Sequence, residues 1–123
     1  MISTITTHSA VAIPKNTVGT SAIINMDNVS PSALYFLDLT VTGDGTAKAN
    51  YNIGDSDSDT FYEPAAASDI CTGHTKTTNT GGRTRYAIAT PILANKMKIL
   101  ITETGNANPI TVTAKLIMVD KGL

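Results

Sequence analysis

The sequence predicts an all-β fold, either an antiparallel β-sandwich or a jelly-roll-like barrel of about seven strands with essentially no helix. Threonine is abundant and charged residues make up only 15% of the 123 positions. This composition favours strands, because β-branched side chains pack well on a pleated surface. Apolar residues alternate with polar ones in short segments, and turn-forming residues separate these segments about every ten positions.

The strongest strand signal lies between residues 34 and 53. Apolar side chains alternate in residues 34–41, the turn Thr42-Gly43-Asp44-Gly45 follows, and the alternation resumes in residues 46–53. An Asp-Gly turn between two alternating segments is typical of a β-hairpin, so we expect these two strands to pair. The inward-facing residues predicted by this pattern are Ala33, Tyr35, Leu37, Leu39, Val41, Ala47, Ala49, Tyr51 and Ile53.

The other predicted strands are shorter or less regular. A second hairpin is predicted from residues 96–104 and 110–119, and further strands are expected at residues 20–26, 61–62 and 83–89. The only helical turn expected is at residues 65–67. Phe36, Ile117 and Val119 are apolar on otherwise polar strand faces, which indicates that part of this outer face is covered.

The N-terminal segment has two interpretations. Residues 1–19 are predicted to form an edge strand or an extended arm that lies on a neighbouring subunit. Pro14 is compatible with an edge strand but not with a central one, because proline lacks the amide donor. Residues 20–123 are predicted to form a single β-sandwich domain, which at this size buries roughly two-thirds of its unfolded surface.

Charge and hydropathy exclude several classes of partner. The net charge is −1, with nine basic and ten acidic residues spread along the chain, so we expect no nucleic-acid binding, which needs clustered Lys or Arg. No segment approaches the ~20 apolar residues of a membrane span. The N-terminus lacks the basic and apolar regions of a signal peptide, which predicts synthesis in a cytoplasm without export by a recognisable Sec signal.

The acidic turn Asp55-Ser56-Asp57-Ser58-Asp59 is the sharpest candidate for a metal site. Its alternating carboxylates are similar to the start of a calcium-binding loop. The similarity fails at the sixth position, where Thr60 replaces glycine, and at the twelfth, where Ala66 replaces a bidentate glutamate. We therefore expect Asp55, Asp57 and Asp59 to form a solvated turn, with no metal and no cofactor.

The polar loop of residues 71–82 contains the other candidate groups. Cys71 and His74 lie three residues apart and His8 is far away in sequence. Zinc needs at least three protein ligands, and a Cys–His nucleophile needs an orienting group. We expect no catalytic site, a small apolar Cys71 and a solvent-facing His74. Gly81-Gly82-Arg83 lacks the context of a phosphate loop and is interpreted as a flexible hinge.

The order of motifs between residues 20 and 119 resembles that of small β-sandwich accessory and decoration proteins of tailed bacteriophages. The similar segments are Ser21-Ala22-Ile23-Ile24-Asn25-Met26, Leu39-Thr40-Val41-Thr42-Gly43-Asp44-Gly45-Thr46, Phe61-Tyr62-Glu63-Pro64, the Thr/Gly-rich loop, Ile99-Leu100-Ile101-Thr102-Glu103-Thr104-Gly105 and the last strand. The chain departs from this pattern between Ile53 and Phe61, where the Asp-Ser repeat stands in place of a plainer Asp-Gly turn.

The resemblance implies a non-enzymatic virion structural protein, a capsid decoration or cement protein that binds the major capsid protein or another virion protein and copies of itself. Residues 1–19 and 71–82 would make these contacts, and no small-molecule substrate is implied. The alternative is a carbohydrate-binding β-sandwich module of a phage fibre or cell-surface protein. In that case Tyr62 or Tyr86, beside the acidic turn, would be the sugar platform.

Overall fold

The computed structural model describes residues 2–27, 29, 32–65, 69–88, 92 and 94–120. These residues form nine strands and no helix. Two of the residues proposed for a helical turn, 66 and 67, lie outside the described part, as does Ala66 of the calcium comparison. The strands are β1 (Ile2–Ile13), β2 (Val18–Thr20), β3 (Ile24–Asn25), β4 (Leu34–Thr42), β5 (Ala47–Gly54), β6 (Cys71–His74), β7 (Arg83–Ile88), β8 (Lys96–Glu103) and β9 (Ile110–Val119).

The strands form two antiparallel sheets packed face to face. Sheet A has the order β1-β9-β4-β7, and sheet B has the order β2-β8-β5-β6, with β3 also paired to β8. Because β2 and β3 both pair with β8, they act as one interrupted strand. The eight resulting strands pair first with last, second with seventh, third with sixth and fourth with fifth, which is the topology of a jelly roll.

The predicted all-β sandwich is therefore confirmed, but both predicted hairpins are wrong. β4 and β5 belong to different sheets, and so do β8 and β9. The positions of β4, β5, β7, β8 and β9 were predicted to within about one residue, because period-two alternation shows which side chains are buried. The other predictions were less accurate: the strand expected at residues 20–26 is two short strands, residues 61–62 contribute only an isolated bridge, and β6 lies in the predicted loop. The same alternation arises whether two successive strands lie side by side or face each other across the core, so it cannot identify the partner.

Tight corners replace the hairpins where the chain changes sheet. Gly43 has a φ of +90°, in the left-handed region that glycine adopts without steric cost. A Cβ at the buried Gly45 would lie 2.5 Å from the carbonyl oxygen of Asn108. The β4–β5 corner is therefore packed against the β8–β9 corner, and only glycine allows the two backbones to approach this closely.

Glu103 joins three of these corners. Its side chain is fully buried, and its carboxylate accepts hydrogen bonds from the backbone N–H groups of Thr46 at 2.8 Å, Gly105 at 2.7 Å, Asn106 at 3.1 Å and Asn16 at 3.2 Å. Burial alone raises the pKa of a carboxyl group, but these four donors outweigh it and hold the pKa of Glu103 below its ordinary value.

The core lies between the inner faces of the sheets. β4 and β9 supply side chains from sheet A, and β5 and β8 face them from sheet B. Residues 2–13 form the edge strand β1, which pairs with β9 of the same chain, and Pro14 follows its last residue. The largest fully buried apolar side chains are Ile13, Leu37, Leu39, Val41, Met97, Ile99, Ile101, Ile110, Val112 and Leu116.

Candidate functional site

The outer face of sheet A is apolar at one end. The strand register places Ile2, Val119 and Leu34 side by side in one row across β1, β9 and β4. The next row contains Ile117, Phe36 and Ala87. We call these six residues the apolar rows. Ile2 is 70% exposed and Leu34 is 48% exposed, whereas Ile117 is buried. The first row therefore presents hydrocarbon to solvent on a face that is usually polar in a sandwich.

A charged row borders the apolar rows. Asp38 of β4 lies between Lys115 of β9 and Arg85 of β7. Arg83 Nε and an Arg83 terminal nitrogen each donate to the Asp38 carboxylate at 3.0 Å, and Arg85 donates at 3.3 Å. The Arg83 hydrogen bond is the first cause that lowers the pKa of Asp38, with a smaller contribution from Arg85. One carboxylate thus stands among three cations, which leaves this part of the face positive.

The β5–β6 connection begins with a second exposed cluster, which we call the acidic corner (residues 54–63). Asp59 closes the turn by accepting from the backbone N–H groups of Asp55 and Thr60, both at 2.9 Å. Asp57 lies 3.7 Å from Lys96. Tyr62 is 51% exposed, although its backbone pairs with Ile53. The corner therefore presents an exposed tyrosine in a segment with four acidic residues, and Lys98 lies over the ring of its other aromatic residue, Phe61, at 4.4 Å.

His74 is buried, so the predicted solvent-facing position is wrong. It is 1% exposed, and its Nε2 donates to the carbonyl of Gly82 at 2.7 Å while Nδ1 lies 2.7 Å from the Tyr86 hydroxyl. Burial and the neighbouring Cys71 raise the pKa of Tyr86 to about 12. Sequence reasoning missed this cluster, because β6 lies in a stretch of the polar loop without strand alternation.

These contacts bear on the chemistry of Cys71. Burial is the first cause that raises the pKa of the Cys71 thiol, which disfavours the nucleophilic thiolate. Both ring nitrogens of His74 face protein groups, so neither faces a space where a substrate could lie. Gly82 is buried, donates to Thr78 and accepts from Val41, which does not fit a hinge. The arrangement holds the β6–β7 corner against β4.

His8 holds the first strand to the opposite sheet. The side chain is 2% exposed, and Nε2 donates to the carbonyl of Gly19 in β2 at 2.8 Å. The Thr7 hydroxyl lies 3.0 Å from Nδ1. Burial is the main cause that lowers the pKa of His8, although the Gly19 carbonyl acts in the opposite direction.

We expect the lowered pKa of His8 to make the fold sensitive to mild acid. The unfolded chain takes up a proton near the ordinary pKa of 6.5, whereas folded His8 resists it, so stability falls as pH decreases below that value. In His8→Gln the amide nitrogen can still donate to Gly19 but cannot titrate. Thermal melts between pH 7.5 and 5.5 should show a flatter Tm profile for His8→Gln. An unchanged slope would contradict this role.

Three depressions lined by described residues are small. Their volumes are about 150, 120 and 250 Å³, each below the ~300 Å³ at which small-molecule sites usually begin. Among the described residues, no three His, Cys, Asp or Glu side chains converge as metal ligands. Nor does the described part of the chain contain a helix long and apolar enough to cross a membrane.

The jelly-roll topology agrees with solved structures of viral particles. The chain aligns over 98% of its length with a chain from the crystal structure of the infectious bursal disease virus VP2 subviral particle, with a TM-score of 0.68 and 13% identity. It aligns over 99% with the infectious bursal disease virus Gx strain structure (TM-score 0.66, 14% identity) and with infectious bursal virus derived T=1 particles (TM-score 0.62, 13% identity).

The likeness concerns the fold of one part of those larger chains. Our chain spans about a third of their length, 32–33%. No protein-family model matches the sequence, and no curated protein is significantly similar to it. The fold is therefore a jelly roll like the aligned part of those viral-particle chains. At 13–14% identity, the role of no individual residue can be transferred from them.

Proposed function

We propose that this chain is a non-enzymatic structural protein of a virion, specifically a capsid decoration protein that binds the particle surface and copies of itself. The observation that carries the proposal is the match of 98% of the chain to a viral-particle subunit with a TM-score of 0.68. The outward apolar rows support it, because an exposed apolar patch suits contact with other macromolecules. The origin in a tailed bacteriophage is part of the proposal.

The proposal is tested on purified particles. Virions of the virus that encodes the chain should contain it at a fixed, high copy number, measured by mass spectrometry and by imaging of the assembly. Particles made without it should bind the purified chain when it is added back, and should do so at saturable stoichiometry. A chain that is absent from particles and does not bind those lacking it would refute the proposal.

A carbohydrate-binding module is the second candidate, because jelly rolls also occur in lectins and Tyr62 is exposed. The platform would be a single ring, since the Tyr86 hydroxyl lies against buried His74. A glycan array separates the two functions: binding that Tyr62→Ser abolishes supports a lectin, and an array without hits eliminates it.

A further inference from the structure

We propose that the acidic corner of one copy of this chain docks on the apolar rows of a second copy. The inference deepens the proposed function, since it rests on a protein that binds copies of itself and names the two surfaces that would meet. Three features support this contact: exposed hydrocarbon on one surface, an exposed aromatic ring on the other, and opposite charge around each.

The apolar rows have the chemistry of an interface core. Ile2, Leu34 and Val119 lie in contact register on three adjacent strands, so their side chains form one continuous patch. Contiguous exposed apolar patches on soluble proteins mark sites of association. Tyr62, which is 51% exposed at the base of the acidic corner beside Ile53, is one of the residue types enriched as anchors in such a patch.

The surrounding charges favour a second copy over an unrelated acidic partner. Lys115, Arg85 and Arg83 outnumber Asp38 beside the rows. In the corner, the four acidic residues outnumber the two lysines that contact it, Lys96 and Lys98. Both halves of a complementary pair are thus present on one chain. With a net charge of −1, two copies have little overall repulsion to overcome.

The positions of the two surfaces suit a head-to-tail assembly. The acidic corner follows β5 of sheet B, and the apolar rows lie outside sheet A at the strand ends near Leu34 and Val119. The tight corner joins the end of β4 to the start of β5 at one end of the sandwich, so the start of β4 and the end of β5 both lie at the other end. Unlike surfaces on opposite sheets make a heterologous contact, which repeats around an axis and closes into a ring if the rotation allows.

Sedimentation velocity of the purified chain tests the contact. The wild type should form species larger than the 12.9 kDa protomer as concentration rises, and fewer of them in high salt, which screens charge. Leu34→Asp/Lys115→Glu places acid on the rows and should raise the dissociation constant roughly tenfold or more. Lys15→Glu makes the same charge reversal as Lys115→Glu but in the β1–β2 turn, at the other end of the sandwich, and should assemble like the wild type.

Mixing two defective variants gives the sharper result. The Leu34→Asp/Lys115→Glu variant keeps its acidic corner, and a Tyr62→Ser/Glu63→Gln variant keeps its rows. Each alone should remain a monomer, while the mixture should form 1:1 dimers and nothing larger, because only one unlike pair of surfaces is intact. Failure of the mixture to dimerise would overturn the inference, as would a monomeric wild type or a row variant that assembles normally.

Separate control experiments distinguish loss of folding, loss of this contact and failure of the proposed function. The substituted side chains are exposed or on the outer face, so all variants should unfold at temperatures close to the wild type. If the row variant is unfolded, the neutral Lys115→Gln should still weaken assembly. If none of these substitutions weakens assembly, the contact is refuted but the proposed function is not. Assembly through this contact by a chain that never binds particles refutes the proposed function instead.

Discussion

Replacement of Glu103 with alanine is expected to lower the free energy of unfolding by about 3 kcal/mol, and Tm by about 10 °C or more. The substitution removes the acceptor of four backbone N–H groups at three corners. Buried donors left without an acceptor cost more than a well-made hydrogen bond contributes. Urea and thermal unfolding should show the loss, whereas the exposed Glu63→Gln, the matched carboxylate control, should stay within about 0.5 kcal/mol.

Glu103→Gln isolates the contribution of the charge. Because folding lowers the pKa of Glu103 from 4.5, its stabilisation is complete above that pH and is lost as the pH falls through 4.5 toward the folded value. The variant should be destabilised at neutral pH and should lose less additional stability in acid than the wild type does. Identical acid profiles would show that the carboxylate charge does not hold the corners together.

Replacement of Gly82 with alanine is expected to cost about 3 kcal/mol or more, far more than the same change at its neighbour. Gly82 has a φ of +80°, and a Cβ there would lie 2.5 Å from the carbonyl oxygen of Val41. Gly81 has a φ of +60° with nothing within 4 Å of its Cβ position, so Gly81→Ala should cost only about 1 kcal/mol.

Comparing Gly82→Ala with Gly81→Ala separates the cost of the steric clash with Val41 from the cost of placing alanine at positive φ. Both substitutions place an alanine at positive φ, and only Gly82→Ala also displaces β4 and the carbonyl that His74 contacts. Urea unfolding of both variants under one condition gives the difference directly. Equal losses would mean that the β6–β7 corner can move away from β4 without cost, contrary to the packing described above.

Much of the fold was predictable because buried and exposed side chains alternate along a strand, and this alternation is visible in the sequence. Alternation in residues 34–53 located β4 and β5, and turn residues located the corners. The pairing was not predictable, because β4 and β5 face each other across the core instead of lying side by side. Nothing in a period of two distinguishes these arrangements.

The candidate site was partly predictable for a related reason. Phe36, Ile117 and Val119 were recognisable as apolar residues on a polar face, but only the register of β1, β9 and β4 brings them together with Ile2 and Leu34. The burial of His74 could not be predicted, since its partners Gly82 and Tyr86 are supplied by a corner and a strand of the other sheet.

The pairing of the first strand with the last has a consequence for how the protein is made. The Thr7 hydroxyl donates to the carbonyl of Ala114, 107 positions later in the chain. A ribosome releases β1 long before β9 exists, so sheet A cannot be completed until β9 has been synthesised. Until then β1 has no partner strand, and long-range pairings of this kind make folding slow. Before β1 and β9 of one chain have paired, β1 of an identical nascent chain can compete for β9.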